Sequence, residues 1–316
     1  MGPGFQHRRP APADSDGQGL RQVRQTFSGA QRLNTEIASA PRTPPRHAAS
    51  PALLRAWRRL RLGVHLARGV ITIALIYPLI SESARLRLRQ RWSQGLLDIL
   101  GITLEHGGAT VTPGCMLVAN HVSWVDIFVI NALAPTAFIS KHEVRSWPVI
   151  GWLAARSETV FLRRGSRGHA KIVNAEIAGL LDAGRNVAVF PEGTTTDGSQ
   201  VLHFHAALLQ PAIEASRPLQ TLALRYRDAD GNPSCAPAYD GELSLGECLR
   251  NILSHRRLVA CIAVDTPIPT TSDSRRRELA LATRNWIAGR IGAEQRPAPE
   301  RDAAQANVEA TQTEPA

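Results

Sequence analysis

The chain has 316 residues, and 43% of them are hydrophobic. That is enough for one cored α/β domain of about 200–250 residues with appendages. Its net charge is +10, and of 37 basic residues only Lys141 and Lys171 are lysine. Such a surface suits anionic lipid headgroups, an acidic carrier protein or nucleic acid, although genome composition alone gives the same arginine bias. An aromatic fraction of 5% argues against a specific nucleic-acid platform, which interleaves aromatic with basic side chains. The four cysteines contain no C-x-x-C pair and two of them lie in apolar runs, so a reducing compartment is expected, with no disulfide frame and no structural metal.

Residues 1–50 have no signal-peptide apolar core and are rich in Pro, Ala, Gln, Ser and Arg, so they read as a disordered leader. From Pro51, LLRAWRRLRLGVHLARGV interleaves Arg55, Arg58, Arg59, Arg61 and Arg68 with leucines and Trp57. The uncharged GVITIALIYPLI, Gly69 to Ile80, follows; its 12 residues are short of the roughly 20 that a membrane span takes. SARLRLRQRWSQGLLDILGI is then a second basic amphipathic helix. Residues 51–100 are therefore expected to form a helical hairpin that associates with a membrane, apolar side chains in the interface and arginines on lipid phosphates. A hairpin packed on the domain with a solvated arginine face is one other reading, and a single full transmembrane helix is another.

Residues 101–292 alternate strand and helix patterns. ITLEHG, CMLVAN, TAFISK, TVFLRR, NVAVF, LQTLALRY and LVACIAVDTPI read as strands. DIFVINALA, VIGWLAARS, AKIVNAEIAGLLDAG with Gly184 as its stop, HAALLQPAIEAS and RRELALATRNWIAGRIG read as helices. The expected fold is α/β, a central mixed sheet flanked by helices. Cys115 and Cys261 lie in apolar runs and are expected to be buried thiols. The stretch 293–316 reads as a disordered tail.

Three clusters at strand ends carry polar chemistry. In LVANHVSWVDIFV, His121 is followed five residues on by Asp126. On a helix that offset is about 140°, so the two share no helical face. They meet if His121 sits on the strand-to-helix turn and Asp126 reaches back to orient its ring. Alone, the stretch reads first as a helix start capped by Ser123 or Asn120, with His121 a polar surface residue. In FPEGTTTDGS, which alone reads as a hairpin or helix-capping turn, Glu192 ends a core strand, Gly193 permits a tight turn, and Thr194, Thr195 and Thr196 offer hydroxyls; backbone N–H groups near Gly193 are candidates for an oxyanion. In FLRRGSR, Arg163, Arg164 and Arg167 make a phosphate grip or a solvated basic loop. No G-x-S-x-G elbow exists, which argues against a serine hydrolase.

In this order the three clusters resemble the glycerolipid acyltransferase family, the 1-acylglycerol-3-phosphate acyltransferases. Asn120, His121 and Asp126 match its N-H-x-x-x-x-D motif, Phe161 to Arg164 its F-(I/L)-x-R motif, and Phe190 to Thr194 its F-P-E-G-T-R motif. The resemblance spans about residues 55–265 and implies a glycerol-3-phosphate acyltransferase-like domain over 101–292. It further implies His121 and Asp126 as catalytic pair, with Glu192, Gly193, Thr194 and Arg164 binding the acceptor. A membrane lysolipid would be that acceptor, and acyl carrier protein or coenzyme A would carry the acyl thioester, with no metal or cofactor. The place implied is the cytoplasmic face of a bacterial-type inner membrane. Two positions depart from the pattern: Thr195 stands where arginine is common, and Thr221 where proline is usual. The first weakens the case for a phosphate-bearing acceptor and admits other lysolipids, such as lyso-ornithine lipid; Arg164 can still bind phosphate, so lysophosphatidic acid, acylated to phosphatidic acid, is the first expectation. A non-catalytic basic protein that binds membrane or nucleic acid is the rival of another class.

Overall fold

The computed structural model of the chain describes residues 49–146, 150–162, 167–292 and 294–295. The leader expected over 1–50 lies outside these residues except at its end. There Ser50 is buried, donating from its N–H to Ser254 O at 2.7 Å and from its hydroxyl to Leu253 O at 2.6 Å. Ser50 is thus held to the domain.

Helix α1, Ala52–Ile71, continues through a π-helical turn, Thr72–Ile76, and a 3-10 turn, Tyr77–Leu79. Pro78 lacks the N–H that would extend it. Helix α2, Glu82–Leu100, returns and stops at Gly101, whose φ of 75° closes the C-terminus. The two form the expected hairpin. Its seam is cut for close approach: a Cβ on Gly69 would lie 2.7 Å from Trp92 Nε1, and one on Gly95 3.0 Å from His65 Cε1. The His65 ring stacks on Trp92 at 4.6 Å. Arg58, on the inner face of α1, donates to His255 O and Arg256 O at 2.8 and 2.7 Å, so the hairpin is fastened to the domain. The uncharged run has 12 residues, Gly69 to Ile80, but the helix is not confined to it. The helical run Ala52–Leu79 has 28 residues and is, by length and composition, long enough to cross a membrane.

The remaining elements follow in chain order. They are β1 Ile102–Gly108, β2 Met116–Ala119, α3 Asp126–Leu133, β3 Thr136–Lys141, α4 Ile150–Arg156, β4 Val160–Leu162, α5 Arg167–Asp182, β5 Asn186–Val189, β6 Gln200–Val201, α6 Gln210–Glu214, β7 Leu219–Asp228, α7 Leu245–Ser254, β8 Leu258–Val264, α8 Arg276–Ile291 and β9 Glu294–Gln295. Among the described residues, seven strands form one mixed sheet in the order β1-β8-β7-β2-β5-β3-β4, antiparallel only between β7 and β8. Strands β7, β2, β5, β3 and β4 therefore end at one common edge, where an open α/β sheet leaves a crevice for ligands.

Helices cover both faces. On β2, Leu117 and Ala119 pack into a core shared with α2, α3 and α7, while Met116 and Val118 pack under α5 and α8. Burial on both sides explains why β2 reads as an unbroken apolar run. The sequence reading left out α7, although Ser244 and Glu247 form a capping box at its start. It also left out the β6–β9 pair, which brings Glu294–Gln295 out of the expected tail. Cys115 is buried as expected, but Cys261 is only half-buried, and Cys248 on α7 is the other buried thiol. Cys261 lies on the sheet next to an edge strand, where one face stays open.

Candidate active site

Val118 on β2 pairs with Val189 on β5, so the turns that leave these strands, 120–125 and 190–193, emerge side by side. Asn120 holds the first turn to the sheet. Its Nδ2 donates to Leu224 O at 2.9 Å and its Oδ1 accepts from Leu224 N–H at 2.8 Å, so the side chain continues the β2–β7 ladder after the main chain has turned away. Neither Asn120 nor Ser123 caps α3: its N-cap is Val125, with no side-chain cap, and the Ser123 hydroxyl accepts from Val125 N–H at 3.3 Å.

His121 sits on this turn and Asp126 is the first helical residue, which brings the pair together despite the five-residue offset. Asp126 Oδ2 accepts from Val122 N–H at 2.7 Å, Ser123 N–H at 2.9 Å and His121 Nδ1 at 2.9 Å. Its Oδ1 accepts from the Tyr226 hydroxyl at 2.6 Å. The Asp126 side chain is 0% exposed, and His121 is 20% exposed. Four hydrogen bonds thus satisfy a buried side chain at the N-terminus of α3. An oxygen that already accepts two main-chain N–H groups is an acceptor, so Nδ1 carries the imidazole proton and Nε2 presents its lone pair. Nε2 makes no hydrogen bond among the described residues. The ring lies flat on Phe190, centroids 4.0 Å apart and planes 10° apart, and Phe190 stacks in turn on Phe138 at 6.2 Å.

Glu192 is 4% exposed, and both its oxygens are engaged. Oε1 accepts from His121 N–H and Oε2 from Leu202 N–H, each at 2.8 Å. Burial raises its carboxyl to about 6, against the pull of these two N–H groups. Gly193 has φ 68° and donates its N–H to Phe190 O at 3.1 Å, so that N–H closes the turn and is not turned toward an oxyanion. Thr194 is exposed on the same turn, the Thr195 hydroxyl donates to Tyr239 O, and Thr196 N–H donates to His121 O at 2.9 Å. His121, Asp126, Glu192 and Gly193 are thus brought together, with Thr194 at the rim; Arg163 and Arg164 lie outside the described residues. The sequence reading missed Tyr226 and the shelf formed by Phe190. Tyr226 sits two residues beyond Leu224, inward-facing on β7, and a lone hydroxyl in that apolar row was the available signal.

The Acyltransferase family model matches residues 104–225. The chain is 40% identical over 186 residues to a lyso-ornithine lipid O-acyltransferase of Pseudomonas aeruginosa, covering 59% of this chain and 71% of that protein. It is 41% identical over 167 residues to a 1-acyl-sn-glycerol-3-phosphate acyltransferase of Neisseria meningitidis, covering 52% and 65%. A lyso-ornithine lipid O-acyltransferase of Brucella abortus is 35% identical over 238 residues, covering 71% and 89%. The crystal structure of the 1-acyl-sn-glycerophosphate acyltransferase of Thermotoga maritima superposes with a TM-score of 0.59 at 20% identity, over 76% of this chain and 94% of that one, a likeness of fold.

Proposed function

This chain belongs to the acyltransferase family and is an O-acyltransferase of lysolipids, and from that premise we propose that it acylates the free hydroxyl of lysophosphatidic acid to give phosphatidic acid. The observation that carries the chemistry is the 2.9 Å bond from His121 Nδ1–H to the buried Asp126 carboxylate, with Nε2 open. A hydroxyl is a weak nucleophile near neutral pH and needs a base within hydrogen-bond reach. His121 Nε2 takes the hydroxyl proton as the oxygen attacks the thioester carbonyl. The tetrahedral adduct then collapses, the C–S bond breaks, and the imidazolium returns the proton to the departing thiol. Asp126 stabilises the imidazolium between these steps, and the Phe190 face beneath the ring adds a cation–π contribution of about 0.5–1 kcal/mol. Glu192 serves by fixing the His121 main chain, and Arg164 is the proposed partner of the acceptor phosphate. The thiol belongs to acyl carrier protein or coenzyme A, and the reaction runs at the cytoplasmic face of a membrane.

A second acceptor, lyso-ornithine lipid, is favoured by Thr195, which tethers to Tyr239 O where an arginine would offer a cation. Purified protein given labelled acyl-carrier protein or acyl-coenzyme A and a panel of lysolipids separates the two by product mass. Phosphatidic acid is expected. Ornithine lipid as the main product moves the assignment to the second acceptor, and no acylated lipid from any member of the panel overturns the reading. In the same assay His121→Ala is expected to lower kcat by at least about 10²-fold with vesicle binding unchanged; a near-normal rate removes His121 as the base.

A further inference from the structure

We infer that Tyr226 is a positioning residue of this reaction, its hydroxyl locking the Asp126 carboxylate and through it the His121 ring. The inference rests on the reading of His121 as the base.

Tyr226 comes from β7, 100 residues away from Asp126 in sequence. With Leu222 and Leu224 it faces the same core as α3 and α7. Phenylalanine would fill this slot without burying a hydroxyl, whose desolvation is repaid only by a bond. Its one bond goes to Asp126 Oδ1, at 2.6 Å, and among the described residues nothing else donates to that oxygen. Oδ2 serves His121, Val122 and Ser123. The two oxygens therefore have separate tasks, and the Tyr226 bond prevents them from exchanging by rotation about Cβ–Cγ. It also draws charge from the carboxylate that orients the His121 ring. The groups facing Tyr226 and Asp126 are His121 and Glu192 from the two turns and Cys248 from α7. Burial first, then the charge and hydrogen bond of Asp126, push the Tyr226 phenol well above its ordinary range, so it stays a donor throughout the working pH of the enzyme.

Tyr226→Phe keeps the ring and removes the bond. Steady-state kinetics of the full chain with the acyl donor and lysolipid are expected to show kcat lower by about 10–100-fold, the worth of one hydrogen bond to a charged group. KM for both substrates is expected to stay within about two-fold of wild type, with the acidic limb of kcat/KM moved to higher pH. In a His121→Ala background the same substitution is expected to leave the residual turnover unchanged, because the residue through which Tyr226 acts is gone. Wild-type kcat in Tyr226→Phe, or an equal fold-loss in both backgrounds, overturns the inference and marks a packing role. Activity retained in His121→Ala alone is the separate signature of a failed base assignment. Fluorotyrosine at 226 keeps the shape and strengthens the donor, which covers the case of a phenylalanine variant that does not fold. The limb then moves to lower pH, and an unmoved limb overturns the inference.

Discussion

Glu192 bears a charge at a position that is 4% exposed, and it spends both oxygens on main-chain N–H groups of two different loops. Its effect on stability has an unusual sign for a carboxyl. The folded value, about 6, lies above the ordinary 4.5, so the folded protein holds this proton more tightly than the unfolded chain does. The resulting stability is fully present below about pH 4.5 and is lost as pH rises through about 6. Glu192→Gln removes that dependence. In paired melts, the stability difference of wild type minus variant is expected to be larger at pH 5 than at pH 7, by roughly 1 kcal/mol. A difference that does not change between the two pH values contradicts it, and pairing cancels the titrating groups that do not interact with Glu192. At this scale the sequence made the His121–Asp126 pair legible, because both partners lie in one short segment. It left open whether they meet, since that depends on where α3 begins. The tasks of Glu192 and Tyr226 were illegible for a different reason: their partners at the catalytic pair, His121 and Asp126, lie 71 and 100 residues away and are set by strand order.

Between elements, the hairpin touches the helix that carries Asp126. Gln90 and Gln94 on α2 donate to Ala132 O and Leu133 O, taking up carbonyls that the C-terminus of α3 leaves unpaired. Trp92 packs on Phe128 of α3 at 5.6 Å and on the Gly69 backbone of α1. A side chain at Gly69 must displace that indole, and with it both contacts. Gly69→Val is therefore expected to lower stability by about 1–3 kcal/mol, read as a fall in Tm, whereas the same change at Gly63, which has open space, is expected to have a smaller effect. Equal Tm losses at the two glycines would show propensity at work and not the seam. Most strands and helices were readable from periodicity. The unread α7 had a polar capping box and only ten residues, and β6–β9 is a two-residue pairing too short to leave a pattern. The seam itself was invisible, because Gly69 and Gly95 in a helical pattern look like weak helix formers until the partner helix is known.

At the scale of the molecule, the membrane contact expected of α1 can be weighed against what each of its faces already touches. Its inner face is occupied along its length: Arg58 on the His255 and Arg256 carbonyls, Leu62 against the core, His65 and Gly69 on Trp92, and Ile73 buried. The outer face carries Leu53, Trp57, Leu60, Val64, Ile71, Leu75 and Leu79, all exposed and spaced three, four or seven apart. A spanning arrangement of the 28-residue run would strip the inner contacts. A helix lying in the interface keeps them, sinks the outer stripe and leaves Arg55, Arg59, Arg61 and Arg68 near lipid phosphates. Leu60→Gln with Val64→Gln and Leu75→Gln removes three apolar side chains from the stripe, each worth about 1.5–3 kcal/mol when buried. Flotation with anionic vesicles is expected to show binding weaker by at least about 10²-fold, while turnover on a micellar short-chain lysolipid stays near wild type. A triple variant that floats like wild type would move the membrane contact off this face. One that loses turnover in micelles as well would show that the stripe supports the fold of the domain and not its docking.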